Sequence, residues 1–541
     1  MRNAATVFEA FATTAAAHAD NKFLIVPARA DRNWLSGGKE FSYAEIASAV
    51  VGTRQHYAVA GYGHGHRVAL LLENRPEFII HYLALNALGV SIVPINPDYR
   101  HDEMLYLLQH SEAELAVGLP HHMAALDAVA RDSALPRRLP VIDALAPPAT
   151  LPGPHAPPRP DQPGAASECA LLYTSGTTGR PKGCILTNDY YLTAGAGYRD
   201  HGGLLSIRYG AERFYNPLPL FHMNHQAVTL TCAILTANAL VLTERFSPSR
   251  WWGEVTGTGA TIVHYLGIVA PMLLNQPVSP DESSHNVRFG IGAGVEPELH
   301  DAFEKRFGFP LVEVWGMTET GRLFTDNHAP RMIATRAFGR PKAGHMEARV
   351  IDDRDGDVAV GTPGELVVRH SAATPRAGFF AGYLKNEAAT EEAWRCGWFH
   401  TGDVVRQDAS GMLFFIDRKK HIIRRSGENI AAAEVEAMLQ AHDAVAQVAV
   451  LAVPDEIREE EVFACIVTMP GVAGDEQLAR DLLAWSNTRL AYYKAPGWIL
   501  FLDTLPTTGT QKVQKSQIFR TGEDPRRADG VVDLRASKRR T

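Results

Sequence analysis

"RVALLLENRPEFIIHYLALNALGVSIVPIN", Arg67–Asn96, decides the fold class. Its opening "RVALLL" is an apolar run of strand length. "RPEFIIHYLALNALG" then repeats apolar residues at helical spacing and closes on a glycine. "VSIVPI" returns to strand character. Strand, helix and strand make one βαβ unit, and strands apolar on both faces belong in a parallel sheet covered on both sides. Similar alternation recurs at "ANALVLTERF" (237–246) and "GATIVHYLG" (259–267). From Gly361 onward the character changes: "GELVVRH", "GMLFFIDRKKHIIRRSGENI" and "VAQVAVLAVPD" are short strands broken by turn residues. The pattern predicts an α/β protein with a large N-terminal α/β domain of mixed sheets and a smaller, mobile α+β C-terminal domain.

A chain of 541 residues exceeds one core. Its 46% hydrophobic and 21% charged content is ordinary for a globular protein. A formal charge of −7 argues against a general binder of nucleic acid or anionic membranes. The five cysteines are scattered and form no CxxC pair, so neither a disulfide framework nor a zinc cluster is indicated, and a reducing, cytoplasmic setting is expected. The start, "MRNAATVFEAFATTAAAHAD", has Glu9 inside it and is expected to be an amphipathic helix, not a signal peptide. No apolar run reaches the roughly eighteen residues of a membrane span, so no integral membrane segment is predicted. The proline-rich stretch 146–164 is expected to be a linker, and the polar end from Thr521 to be poorly ordered.

One stretch asks for chemistry. "TSGTTGRPKG", Thr174–Gly183, packs three threonines, a serine and three glycines around Arg180 and Lys182. Glycine-rich turns can aim several backbone N–H groups at phosphate oxygens, and hydroxyls add donors. A Walker loop would run Gly-Lys-Ser/Thr into a helix, whereas here Lys182 precedes Gly183 and the strand-like "CILT". A plain Thr/Gly hairpin is the bland alternative. Six further strings stand in order along the chain: "PLPLFHMNHQAVT" (217–229), "GIGAGVEPEL" (290–299), "EVWGMTET" (313–320), "GWFHTGD" (397–403), "FIDRKKHIIRRSGENIAAAEVE" (415–436) and "LPTTGTQKVQKSQI" (505–518). Singly, each reads as a core strand or a solvated turn.

Together, over nearly the whole chain, they resemble the adenylate-forming superfamily of acyl-CoA synthetases, luciferases and peptide-synthetase adenylation domains. "RRSGEN" with "VPDEIREEEVFACIV" is similar to the crotonobetaine/carnitine-CoA ligase branch. The resemblance implies an AMP-forming acid–thiol ligase that uses ATP, Mg²⁺ and coenzyme A on a small-molecule carboxylic acid. It implies that Thr174, Ser175, Gly176, Thr177, Thr178 and Lys182 hold phosphates, that Gly292, Ala293 and Gly294 lie beside adenine, and that Glu313, Trp315 and Gly316 complete the nucleotide site with Trp315 along the ring. Thr318 would contact the α-phosphate, Glu319 would hold Mg²⁺, and Asp403 and Arg418 would take the ribose. His222 would gate the acyl side, Gly427 and Glu428 would meet coenzyme A, and Lys512 would be the catalytic lysine. A body of residues 1–417 would carry a lid of residues 418–541, hinged near Lys420.

The match has departures. Gly294 stands where the family has proline, His66 stands where aspartate is usual, and Gln511 replaces a glycine beside Lys512, with Lys515 as a competing lysine. His222, directly after Phe221, takes the place of the aspartate that amino-acid-activating relatives use. Trp251 and Trp252 could offer a cation–π surface to a trimethylammonium group, or simply be core. Three other functions stay open: loading of a carrier protein, a luciferase-like oxygenase, and a noncatalytic nucleotide-binding regulator. A homodimer is compatible with the sequence; a nucleic-acid partner is not expected.

Overall fold

A computed structural model describes residues 4–174, 181–342, 344–425, 428–456, 458–490, 492–507, 513–520 and 522–538. The chain divides into two compact units, Met1–Ala348 with Val368–Phe399, and Arg349–Val367 with His400–Thr541.

In the larger unit the predicted βαβ element is present. Strand Arg67–Leu71 pairs in parallel with Ser91–Pro94, and helix Pro76–Asn86 connects them. Arg75, extended as a residue before proline must be, starts that helix, and Pro76 occupies its first turn where a missing N–H costs nothing. Both strands are apolar and buried along almost their whole length. The sheet around them runs Gly382–Tyr383, Lys182–Thr187, Glu168–Thr174, Ser91–Pro94, Arg67–Leu71, Leu115–Gly118, Val141–Asp143. Its first two ladders are antiparallel and the remainder parallel. A second sheet runs Phe324–Thr325, Leu311–Trp315, Phe289–Ala293, Ile262–Leu266, Arg213–Tyr215, Ala239–Val241, Lys22–Val26, Lys39–Ser42. It is parallel except for its two edge strands. Mixed sheets are therefore the rule, as the sequence predicts.

One open reading is settled and one expectation changes. Trp251 and Trp252 pack in a core with Tyr215, Phe303, Phe307 and Phe309, so they offer no surface to a cation. The stretch 146–164 belongs to the larger unit and is strapped onto it. Tyr62 donates to Pro152 O at 3.0 Å, His66 Nε2 meets Ala156 O at 2.9 Å, and His64 Nδ1 meets Asp161 O at 3.1 Å. Proline stiffens the segment without keeping it off the surface. His66 is therefore a clasp, which an aspartate could not be against a carbonyl. The N-terminal helix, Val7–Ala17, is capped by Thr6 Oγ1 accepting from Glu9 N–H at 3.1 Å. Among the described residues no helix is long and apolar enough to cross a membrane.

In the smaller unit, strands Leu413–Arg418, Phe399–Gln407, Gly364–Arg369 and Glu347–Ile351 follow one another in one sheet. Another runs Glu428–Ala431, Ile422–Arg425, Glu459–Thr468, Trp498–Phe501, Val532–Asp533, with Val445–Asp455 also paired to Glu459–Thr468. Helices Ala432–Gln440 and Glu476–Asn487 contribute to its core. The segment 522–538 is fixed here, contrary to the sequence expectation. Lys538 Nζ lies 2.7 Å from Glu461 Oε1, and Arg425 Nε lies 2.9 Å from both Glu461 oxygens, all three side chains being at most 2% exposed. Burial pushes the Lys538 ammonium down to about 8 against the pull of Glu461.

One carboxylate thus serves two buried cations, and removing it leaves both uncompensated. Glu461→Ala is expected to cost about 3–5 kcal/mol. Amide exchange in Val445–Asp455 and Glu459–Thr468 should speed accordingly. Unchanged protection in both strands would refute the assignment.

Candidate active site

The C-terminal ends of three neighbouring parallel strands meet at Glu313. Tyr265 stands near the end of Ile262–Leu266, Gly294 follows Phe289–Ala293, and Glu313 lies within Leu311–Trp315. Tyr265 Oη donates to Glu313 Oε1 at 2.7 Å and Gly294 N–H donates to Glu313 Oε2 at 2.8 Å. Burial pushes the Glu313 carboxyl up, while the two hydrogen bonds pull it back. The contact is tight enough to dictate residue type. A Cβ on Gly292 would lie 2.2 Å from Tyr265 O, and one on Gly267 would lie 1.9 Å from Gly294 O. Gly292, Ala293 and Gly294 are therefore held by Glu313, which braces the loop and has both oxygens occupied. Gly294, at φ +87°, adopts the conformation that the proline usual in the family could not.

A second cluster forms where strand Gly382–Tyr383 pairs with Lys182–Thr187, Tyr383 opposite Cys184. Tyr383 Oη donates to Glu319 Oε1 at 3.0 Å, and Lys182 Nζ lies over the Tyr383 ring at 4.7 Å. Phe380 N–H donates to Glu319 O at 2.9 Å, and Tyr190 Oη donates to Thr318 O at 2.7 Å. Burial first, and the Glu319 charge next, push the Tyr383 phenol well up, so it is a hydrogen-bond donor at neutral pH. Thr174 stands opposite Lys182 in the antiparallel ladder. Thus Lys182, Glu319 and the Thr318 backbone are brought together. Trp315 is buried against Phe324, ring centroids 5.6 Å apart, and Phe338, while Gly316 beside it is exposed. Tyr190, Tyr265 and Tyr383 are the residues that the motif strings miss. The dipeptide Gly382-Tyr383 after two phenylalanines was the available signal.

His222 keeps an exposed surface, its ring 4.6 Å from that of Phe221. Immediately after it, Asn224–Thr229 forms a wide π-helical turn, a form common at functional sites. His225 Nδ1 lies 2.5 Å from Leu218 O, which makes Nδ1 the protonated nitrogen and Nε2 a lone acceptor without a partner. Gln226 accepts from Tyr191 Oη, and its buried amide nitrogen has no partner. His264 contacts Tyr198 Oη at 3.2 Å and Asn224 Oδ1 at 3.1 Å. Burial pushes His225 down to about 4 and His264 down to about 3, so both rings are neutral.

In the smaller unit, Asp403 and Arg418 face each other across a ladder, Arg418 Nε 2.7 Å from Asp403 Oδ1. Asp403 is 1% exposed. Lys420 lies in the turn Lys419–His421, and Glu428 opens a strand with Arg425 opposite it. Lys515 Nζ is paired with Glu436 Oε1 at 2.7 Å. Ser175, Gly176, Thr177, Thr178, Gly427 and Lys512 lie outside the described residues.

Residues 11–384 match the model of the AMP-binding enzyme family, and residues 434–512 match that of the AMP-binding enzyme C-terminal domain. A sulfoacetate–CoA ligase of Cupriavidus necator is 32% identical over 96% of this chain and 99% of its own length. A crotonobetaine/carnitine–CoA ligase of Proteus mirabilis is 29% identical over 89% of this chain and 93% of its own. Among solved structures, an o-succinylbenzoate CoA synthetase from Bacillus subtilis with its acyl-adenylate intermediate superposes with a TM-score of 0.79 at 24% identity, covering 94% of this chain and 98% of that one. An anthranilate CoA ligase bound to anthranoyl-AMP gives a TM-score of 0.80 at 22% identity, covering 95% and 96%.

The buried imidazoles set an acid limit on the larger unit. An unfolded histidine takes its proton near 6.5, whereas His225 and His264 resist until about 4 and about 3. Between those values the unfolded chain holds more protons, so stability falls as pH drops from 6.5 toward 4. The urea midpoint at pH 5 should lie below that at pH 7.5, and His264→Gln should flatten the dependence. A midpoint constant across that window would contradict the neutral assignment.

Proposed function

This chain belongs to the AMP-binding enzyme family, and on that premise we propose how it works as an ATP-dependent carboxylate–CoA ligase. In the first step a carboxylate oxygen attacks the α-phosphorus of ATP, the bond to the β-phosphate oxygen breaks, and pyrophosphate leaves. In the second, the coenzyme A sulfur attacks the acyl carbonyl, and AMP leaves with the electron pair of the acyl–phosphate bond. The difficulty of the first step is charge: an anion must approach a polyanion, and catalysis there comes mainly from positioned cations and donors.

The observation that carries the assignment is the grouping of Lys182, Tyr383 and Glu319 beside the Thr318 backbone. Lys182, with Thr174 and the loop residues Ser175, Gly176, Thr177 and Thr178, neutralises the phosphates. Glu319 would hold Mg²⁺: its buried carboxylate is fixed by Tyr383 and is the hard-oxygen donor such an ion requires. When bound, the ion supplies charge neutralisation at the phosphates. Gly292, Ala293, Gly294, Trp315 and Gly316 line the adenine side, with Glu313 acting through Gly294. Asp403 and Arg418 take the ribose, and Gly427 and Glu428 the coenzyme A arm. Lys512 bridges the attacking carboxylate and the α-phosphate. The commitment of Lys515 to Glu436 supports Lys512 over its neighbour. The lid begins at 418 and turns near Lys420.

For the acid, we infer a short, polar molecule. The turn that follows His222 is polar and neutral, and it buries two groups without a protein partner, His225 Nε2 and the Gln226 amide nitrogen. The polar acids named in the sulfoacetate and crotonobetaine/carnitine ligases agree with this.

A panel of sulfonated, betaine-type, hydroxylated, aromatic and long-chain carboxylates, assayed for pyrophosphate release and for acyl-CoA with free coenzyme A, tests the proposal. The short polar acids should give both products. Preference for long-chain acids would overturn the substrate class, and pyrophosphate release without acyl-CoA would favour carrier loading. Separately, Lys512→Ala should slow adenylate formation by a few hundredfold or more, yet still convert a supplied acyl-adenylate to thioester. Undiminished pyrophosphate exchange in that variant would remove Lys512 from the mechanism.

A further inference from the structure

We propose that Glu73, His121 and His122 form a binding site for one divalent transition ion of the Zn²⁺ class, separate from every residue assigned to the ligase reaction. Strands Arg67–Leu71 and Leu115–Gly118 are parallel neighbours, with Leu71 opposite Gly118 and Leu119 N–H donating to Leu71 O at 3.3 Å. That register carries Glu73, just past the first strand, and the turn Pro120–His122, just past the second, to one corner of the sheet. The corner lies at the carboxyl ends of parallel strands, the edge where α/β proteins place their ligands.

Three ligand atoms converge there. His121 Nε2 and His122 Nε2 lie 2.9 and 2.8 Å from the same oxygen, Glu73 Oε1. One ligand atom from each residue falls within 4.8 Å of the others. Two imidazole nitrogens and one carboxylate oxygen make a set that Zn²⁺ accepts, with a fourth tetrahedral position left for water. Imidazole favours Zn²⁺, Co²⁺, Ni²⁺ or Cu²⁺ over Mg²⁺ and Ca²⁺. With metal–nitrogen bonds near 2.0–2.1 Å, the edges of such a tetrahedron are about 3.4 Å long. The observed distances are shorter because hydrogens bridge the atoms. An ion needs the cluster to open by roughly half an ångström, and His121, whose side chain is 55% exposed, has room to swing.

The residue next to the carboxylate is held in advance. Asn74, the chain neighbour of Glu73, donates from Nδ2 to Leu218 O at 3.0 Å and Thr243 O at 3.1 Å, and accepts from Leu220 N–H at 2.7 Å. An anchored backbone next to the ligand is what preorganisation requires. The bland competitor is a charge-assisted hydrogen bond between imidazolium and carboxylate. It predicts no metal affinity above that of scattered histidines.

The test uses the full-length protein without a polyhistidine tag, stripped with a chelator, and titrated with Co²⁺ alone while visible d–d absorbance is read. Zn²⁺ then competes the signal away. The expected result is one equivalent of Co²⁺ with a tetrahedral spectrum. In Glu73→Gln and in the double variant His121→Gln/His122→Gln, affinity should fall at least about tenfold, with carboxylate-dependent pyrophosphate release retained as the check on folding. With 22 histidines in the chain, background binding is expected, so the difference between wild type and variants is decisive. No tetrahedral spectrum in the wild type, or equal affinity in wild type and both variants, overturns the proposal. Because Co²⁺ absorbance and Zn²⁺ competition involve neither the acid nor coenzyme A, failure here leaves the ligase assignment untouched.

Discussion

The buried carboxylate of Glu313 is the constraint on which the larger unit's functional face depends. A charge placed among strands is tolerated only if donors meet it, and both of its oxygens are met, by Tyr265 Oη and Gly294 N–H. Gly294 follows the strand next to that of Glu313 and Tyr265 sits on the one beyond, so the carboxylate ties three parallel strand ends into one surface. The glycines follow from that tie: with backbone and ring this close, Gly292 and Gly267 leave no room for a Cβ. Replacing the carboxylate by a hydrophobe would free three separate loops.

Tyrosine is the recurring device for this work. Tyr190 holds the Thr318 carbonyl, Tyr265 holds Glu313, and Tyr383 holds Glu319. A phenol suits the task because it spans a long distance rigidly, fills apolar space, and delivers one donor at its tip. It also adds no charge. The fixed charge of the Tyr383 cluster then comes from Lys182 and Glu319, while the braces stay neutral. The same economy of charge holds around His222, where His225 and His264 are neutral and Asn224, Gln226 and Thr229 supply dipoles.

Legibility in the sequence followed contact range. The βαβ unit at Arg67–Asn96 could be read because strand and helix periodicities are local, and the structure places both strands and the helix within the quoted residues. Strings such as "EVWGMTET" were legible because a chain of fixed order keeps Thr318 next to Glu319. The tyrosines were not, since Tyr383, Tyr265 and Tyr190 act on residues 64, 48 and 128 positions away. Composition misled twice for the same reason. Proline content in 146–164 reports backbone stiffness, and polarity after Thr521 reports solubility of the segment. Neither reports the carbonyls waiting for Tyr62 and His66, nor the carboxylate waiting for Lys538.

Range also explains why Glu73 and the pair His121-His122 carry no recognisable spacing. A metal motif is readable when its ligands share one helix or one turn, where covalent geometry fixes their distance. Here the spacing is set by a ladder: Leu71 opposite Gly118 is what turns a separation of 48 residues into a hydrogen bond. A slip of that register by one residue would send the histidines to the other side of the sheet and dissolve the cluster. The parallel pairing of Arg67–Leu71 with Leu115–Gly118 is buried on both faces and so resists such a slip. The core that stabilises the fold therefore also fixes the geometry of a surface cluster whose own side chains contribute little to holding it.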